Sequence, residues 1–274
     1  MSMIEAVFEK FQISWGEATS ILVAGAGSTL TQNSGAETKH ATGKRKAYTS
    51  KIGKATLEGK CGFILSPTYL PIIGLVLPED IPEFNFEDGQ DKATKCLCSA
   101  FTLKGEAEGY IECNMDFQAR GKTTSSVLGA ATLVNPYVGT LLLTTGLHDI
   151  DFANFEISIA NGLTAEHGML KKAGEEPDAD LRQRLPSKIA RNYQDVTLKM
   201  NFLEEPDIDA VADTIEKISE ATITIPTEDR TGTLVITLVN LLPKGLPRDK
   251  AEEGLVKFDL EYTVEDITIG AGGD

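Results

Sequence analysis

The stretch Phe152-Ala153-Asn154-Phe155-Glu156-Ile157-Ser158-Ile159 has a near copy at the other end of the chain, Phe8-Glu9-Lys10-Phe11-Gln12-Ile13-Ser14-Trp15. In both copies apolar residues alternate with polar ones, which is the period of a strand with one face buried. Two further pairs keep nearly the same interval. Ala55-Thr56-Leu57-Glu58 matches Val196-Thr197-Leu198-Lys199, and Glu108-Gly109-Tyr110-Ile111 matches Glu253-Gly254-Leu255-Val256. Three matches in one order at nearly one spacing predict a design written twice. The expected division is a first domain over 1–135 and a second over 136–274, each long enough for its own core.

Working outward from these strands, each half is expected to hold a long polar loop, Ser28 to Lys54 and Ala165 to Gln194, with Ser-Lys-Ile near both ends (Ser50-Lys51-Ile52 and Ser187-Lys188-Ile189). Loops of that length in a compact domain are usually functional. A helix is expected after the next strand of each half. Ile208, Val211, Ala212, Ile215 and Ile218 recur at helical spacing behind Pro206, and proline suits a first turn. The first-half counterpart begins at Ser66-Pro67 and meets Pro71, so it should be short or kinked. Lys95–Leu103, Gly109–Arg120, Thr140–Leu147, Ala221–Pro226, Thr233–Leu241 and Leu255–Val264 read as strands. Lys122 to Tyr137 reads as the junction. The predicted fold class is mainly β: two tandem antiparallel β-sandwich or barrel domains, each with a flanking helix and a long loop.

Composition narrows the function. A formal net charge of −15, from 26 Lys and Arg against 41 Asp and Glu, argues against nonspecific nucleic-acid binding, which rests on neutralising phosphates. Cys61, Cys96, Cys98 and Cys113 all lie in the first half. Cys96-Leu97-Cys98 has one intervening residue and no neighbouring histidine, so small buried thiols are expected rather than a metal site. Met1 to Phe11 carries Glu5, Glu9 and Lys10 without an apolar core, and Tyr69 to Leu77 is too short for a membrane span. A soluble protein made in a cytoplasm is expected, without membrane contact by this chain.

No catalytic constellation emerges. His40, His148 and His167 have no nucleophile motif beside them, and Gly25-Ala26-Gly27 lacks the third glycine and the Lys-Ser or Lys-Thr pair of a phosphate loop. The six carboxylates from Glu79 to Asp91 do not match calcium-loop spacing, and Pro78 and Pro82 break the segment. The protein is expected not to be an enzyme and to hold no cofactor or metal.

Several runs carry a family resemblance. Ala55-Thr56-Leu57-Glu58-Gly59, Phe86-Glu87-Asp88-Gly89, and Ser99 to Gly109 with the strand ending Arg120-Gly121 resemble tail tube proteins of long-tailed, non-contractile bacteriophages. Phe155 to Leu163, Pro186 and Val196-Thr197-Leu198 resemble the second tube domain of such proteins. Pro71 and the cysteines depart from that pattern. The resemblance implies a virion structural subunit, assembled in the host bacterial cytoplasm, that joins copies of itself edge to edge into rings. Rings stack, DNA passes through the bore without specific binding, and other tail proteins meet the tube ends. Two tube domains per chain imply a trimer with pseudo-sixfold symmetry. The alternatives are another tail component (tail tip, distal tail or terminator protein), a β-sandwich receptor- or glycan-binding module, or a hydrolase whose site no motif reveals. An aromatic content of only 7% and a single Trp15 placed in a strand count against glycan binding.

Two blocks of opposite charge are candidate contacts between stacked rings. Thr31 to Lys54 carries Lys39, Lys44, Arg45, Lys46, Lys51 and Lys54 against Glu37 alone. Glu79, Asp80, Glu83, Glu87, Asp88 and Asp91 form the acidic block. The expectation is that the basic loop of one ring reaches the acidic face of the next, orienting stacking while apolar contacts supply most of the adhesion.

Overall fold

Strand β1 (Lys10–Trp15) buries Phe11 and Ile13 and turns through Gly16, whose φ is +52°, into the long strand β2 (Ala18–Asn33). In the computed structural model the described residues are 10–33, 37–39, 49–51, 56–124, 127–131, 133–139, 143–147, 152–167, 185–186, 188–202, 218–244 and 258–272. A two-stranded ribbon, β3 (Glu37–Lys39) with β4 (Thr49–Lys51), follows β2. Next come β5 (Thr56–Ile64), a 3-10 helix (Pro67–Leu75), β6 (Phe84–Glu87), β7 (Asp91–Glu106), β8 (Glu112–Ala119) and β9 (Gly121–Thr124). Pairing runs β1 to β2, β2 to β5, β5 to β8, β8 to β7, β7 to β6 and β6 back to β1, all antiparallel. That circuit is a closed barrel. Phe11, Phe63, Phe84, Phe86 and Phe117 fill it, with ring centroids 4.9 to 6.3 Å apart, the tilted and edge-on arrangements that aromatic quadrupoles favour.

The second block contains β10 (Leu143–Thr145), β11 (Phe152–Glu166), β12 (Lys188–Phe202), β13 (Ile218–Pro226), β14 (Thr233–Pro243) and β15 (Phe258–Ala271). Its spatial order is β10-β13-β14-β15-β12-β11. Taken in chain order, β10 to β15 stand where β1, β2, β5, β6, β7 and β8 stand in the barrel. Each block even has one non-glycine residue at positive φ in corresponding strands, Lys95 in β7 and Asn240 in β14. Among the described residues no pairing joins β10 to β11, so the described strands of this block do not close as the barrel does.

The match of elements corrects the match of words. Leu57 and Leu198 lie in counterpart strands, β5 and β12. They face Ala119 in β8 and Tyr262 in its counterpart β15. Ile13 and Ile157 do not correspond, because the counterpart of β11 is β2 rather than β1. Phe-x-Ile-Ser is what any strand with one buried face can spell, and here it does so at two different places in the fold. Ile111 precedes β8, and Val256 lies outside the described residues.

The long polar loops are shorter than their composition predicts. Ser28 to Asn33 continues β2, held by pairing with β5 from Ser28↔Cys61 to Asn33↔Thr56. Threonine-rich polar strands are stable when a neighbour supplies the ladder, and this one has no apolar alternation to betray it. In the second half β11 runs to Glu166 and β12 begins at Lys188. The first expected helix is a 3-10 segment, because Pro71 lies inside it and cannot donate the hydrogen bond an α-helix needs there. Of the second, Pro206 to Ile215 lies outside the described residues, while Ile218, the last of its apolar set, is not helical and opens strand β13, paired with Leu241. Of the expected junction, Lys122, Thr123 and Thr124 belong to β9 (Gly121–Thr124), paired with β7 and anchored by Lys122 to Asp91 at 2.8 Å.

The two blocks are joined in one continuous sheet. Residues Ala100 to Glu106 of β7 pair with Asn154 to Ala160 of β11, seven residues a side. The connecting segment is bonded to both blocks as well. Tyr137 donates its N–H to Leu65 O and accepts at its own carbonyl from Ile111, while Val138 donates to Pro226 O and Glu228 to Pro136 O. Asp229 sits at the centre of the adjoining turn. It accepts from the Thr231 N–H (2.9 Å) and hydroxyl (2.7 Å), the Thr227 hydroxyl (2.9 Å) and the Asn135 amide (2.6 Å). Those donors, led by the Thr231 N–H, hold its carboxyl down at about 2.

Candidate interaction surfaces

The seam between β7 and β11 is shaped by an aromatic ring over a glycine. Gly105 and Phe155 face each other in register, and a Cβ on Gly105 would lie 2.2 Å from the Phe155 ring and 2.9 Å from Ile111. The barrel repeats the device at Gly59 and Phe117, where a Cβ would lie 2.1 Å from the ring. A ring laid across a strand glycine covers backbone that would otherwise be left bare.

One face of the joined sheet is core. The row Cys113, Leu103, Ile157, Leu198, Tyr262 crosses five strands in register, and every member is buried. Burial pushes the Cys113 and Tyr262 side chains up, Tyr262 to about 12, and the Cys61, Cys96 and Cys98 thiols likewise rise through burial. All four cysteines are free and buried, and such thiols are poor nucleophiles.

Side chains alternate, so the neighbouring row points to the other face. That row reads Glu112, Lys104, Glu156, Lys199, Glu261, Lys244 across β8, β7, β11, β12, β15 and the end of β14. Charge alternates at every step. Lys104 meets Glu156 across the seam at 2.8 Å, and Lys244 meets Glu261 at 2.7 Å. Partial burial pushes the Glu156 carboxyl up, but the Lys104 hydrogen bond and charge, the Ser158 hydroxyl and the Lys199 charge together hold it below its usual value. The Lys244 hydrogen bond, with the charges of Lys244 and Lys199, does the same for Glu261. The next row on this face is uncharged: Asn114, Thr102, Ser158, Thr197 and Thr263.

The acidic block does not form a free acidic face. Asp80 pairs with Arg191 and Glu83 with Arg120. Glu87 is buried and bonded to Lys92 at 2.6 Å. Asp88 accepts the N–H groups of Gln90 and Asp91, closing the turn at Gly89. The cations lie outside the acidic run itself, at Lys92, Arg120, Lys122 and Arg191, where reading the block alone does not find them. Glu79 borders a small open cavity with Pro78, Ile81 and Arg191. On the basic side, Lys39 and Lys51 belong to the β3–β4 ribbon, while Lys44, Arg45 and Lys46 lie outside the described residues. The acidic block is largely paired with cations on or beside neighbouring strands. The alternating row was missed because its members are dispersed along the sequence, one or two to a strand. The signal was there in the alternation of each strand's polar positions, but only the register lines them up.

The fold and these surfaces define a mainly β protein in which a closed barrel and a second block of the same strand order share one antiparallel sheet. No family model and no curated protein matches the chain.

Proposed function

We propose that this protein is the subunit of a phage tail tube, three chains forming a ring that stacks into a tube around a channel for DNA. The observation that carries the reading is the seam: two blocks of one strand order are joined edge to edge by the seven-residue pairing of β7 with β11. A chain that already places two such blocks side by side holds within itself one of the contacts that a ring of like blocks repeats. Closing the ring also protects sheet edges that would otherwise invite aggregation. The sequence resemblance points the same way, and the net charge of −15 per chain argues against adhesion of the protein as a whole to DNA. Electron microscopy of the purified protein at high concentration tests the proposal. Tubes are expected, with short assemblies whose masses are multiples of three chains. A protein that stays monomeric at all concentrations, or hexamers of the full chain, would count against it.

A further inference from the structure

We infer that the face bearing the alternating row lines the bore, and that the row keeps the wall from gripping the phosphates that slide over it. The inference rests on the tube reading. The joined sheet has two faces, and one is spent on the core, from Cys113 through Leu103, Ile157 and Leu198 to Tyr262. Only the other is available to face a channel. On that face the charged row runs in register from β8 through β7, β11, β12 and β15 to Lys244, just past β14, and each member is exposed or half-buried.

The chemistry of that face fits passage better than binding. Duplex DNA is held by ammonium and guanidinium groups that replace its counterions. Here Lys104 lies between Glu112 and Glu156, and Lys199 between Glu156 and Glu261. Lys244 is tied to Glu261 at 2.7 Å. Each cation already has a carboxylate at the spacing of neighbouring strands, about 4.8 Å. A phosphate would have to displace that carboxylate and would meet its charge in doing so. The flanking row of Thr102, Ser158, Thr197 and Thr263 offers hydroxyls that hold water and carry no charge. The row sums to zero, in a chain that is strongly acidic elsewhere.

Two measurements on assembled tubes test this. In a Thr197→Cys variant, whose native thiols are all buried, a small maleimide is expected to label tubes, while one carried on a large polyethylene glycol labels only free subunits. Equal labelling of tubes by the large reagent would overturn the placement. The second compares Glu156→Gln/Glu261→Gln with a control, Glu17→Gln/Glu228→Gln, at exposed residues away from this row, for binding of a short fluorescent duplex DNA. The first pair is expected to raise affinity at low salt by about tenfold or more, with a steeper fall as salt rises, and the control to leave it unchanged. Equal effects of the two pairs would overturn the inference while leaving the tube intact. Failure of the wild-type chain to form tubes at all would overturn the proposed function, and this inference with it.

Discussion

Gly105 shows how much can hang on a missing side chain. Its φ is not in the left-handed region, so the requirement is space, set by the Phe155 ring on the facing strand and by Ile111 behind it. Gly105→Val would force that ring off the strand at the one place where the two blocks meet. Overpacking of this kind costs about 1–3 kcal/mol, and the upper end is expected because ring and backbone must both shift. Gly74, where nothing lies within 4 Å of an added Cβ, supplies the comparison. Gly74→Ala is expected to leave the thermal midpoint nearly unchanged, while Gly105→Val lowers it by several degrees. Similar midpoints for the two variants would mean that the ring over Gly105 contributes little. Nothing in the sequence around Lys104-Gly105-Glu106 reveals this demand, because the partner lies fifty residues away.

At the scale of elements, the segment Asn135 to Gly139 behaves as a strand laid between two blocks, and the Asp229 turn fixes its near end. Asp229 titrates at about 2 in the folded chain against 3.8 ordinarily. Its folded value is depressed, so its contribution is fully present above the ordinary value and is lost as pH falls through the folded one. The wild type is therefore expected to melt higher than Asp229→Ala at pH 6, with the gap narrowing between pH 4 and pH 2. A gap of constant size across that range would show that the charge is not what matters at this turn. Elements of this kind were the part of the fold most hidden from sequence. The strands with strong alternation, such as Cys113-Asn114-Met115-Asp116-Phe117, are legible because one face is buried and the other is not. The extension of β2 through Thr29 and Thr31 is not legible, since both of its faces carry polar residues and the ladder to β5, with Leu30 packed against the core, makes it a strand. The partners of the acidic block are hidden for a related reason: its charges are local in sequence, whereas Arg120 and Arg191, which pair with Glu83 and Asp80, arrive from elsewhere in the chain.

Across the whole molecule, the strand order is what recurs, and the words that first suggested a repeat do not mark it. The likeness of Phe152–Ile159 to Phe8–Trp15 joins non-corresponding strands, yet the order of all six strands recurs. Sheet order is carried by connection lengths and burial, which tolerate changes of wording. One consequence of the seam concerns chains cut in two. Residues 1–139 made alone would leave the Ala100–Glu106 edge of β7 without its partner strand, and 140–274 would leave Asn154–Ala160 of β11 likewise. Each piece should misbehave by itself, sticking to copies of itself in light scattering, while the two made together in one cell should find each other and copurify as a one-to-one pair. Two halves that stay soluble and indifferent to one another when mixed would show that the shared sheet does not hold them. If they do recombine, the molecule is a natural split protein, and the assembly proposed above could be switched on by supplying the second half.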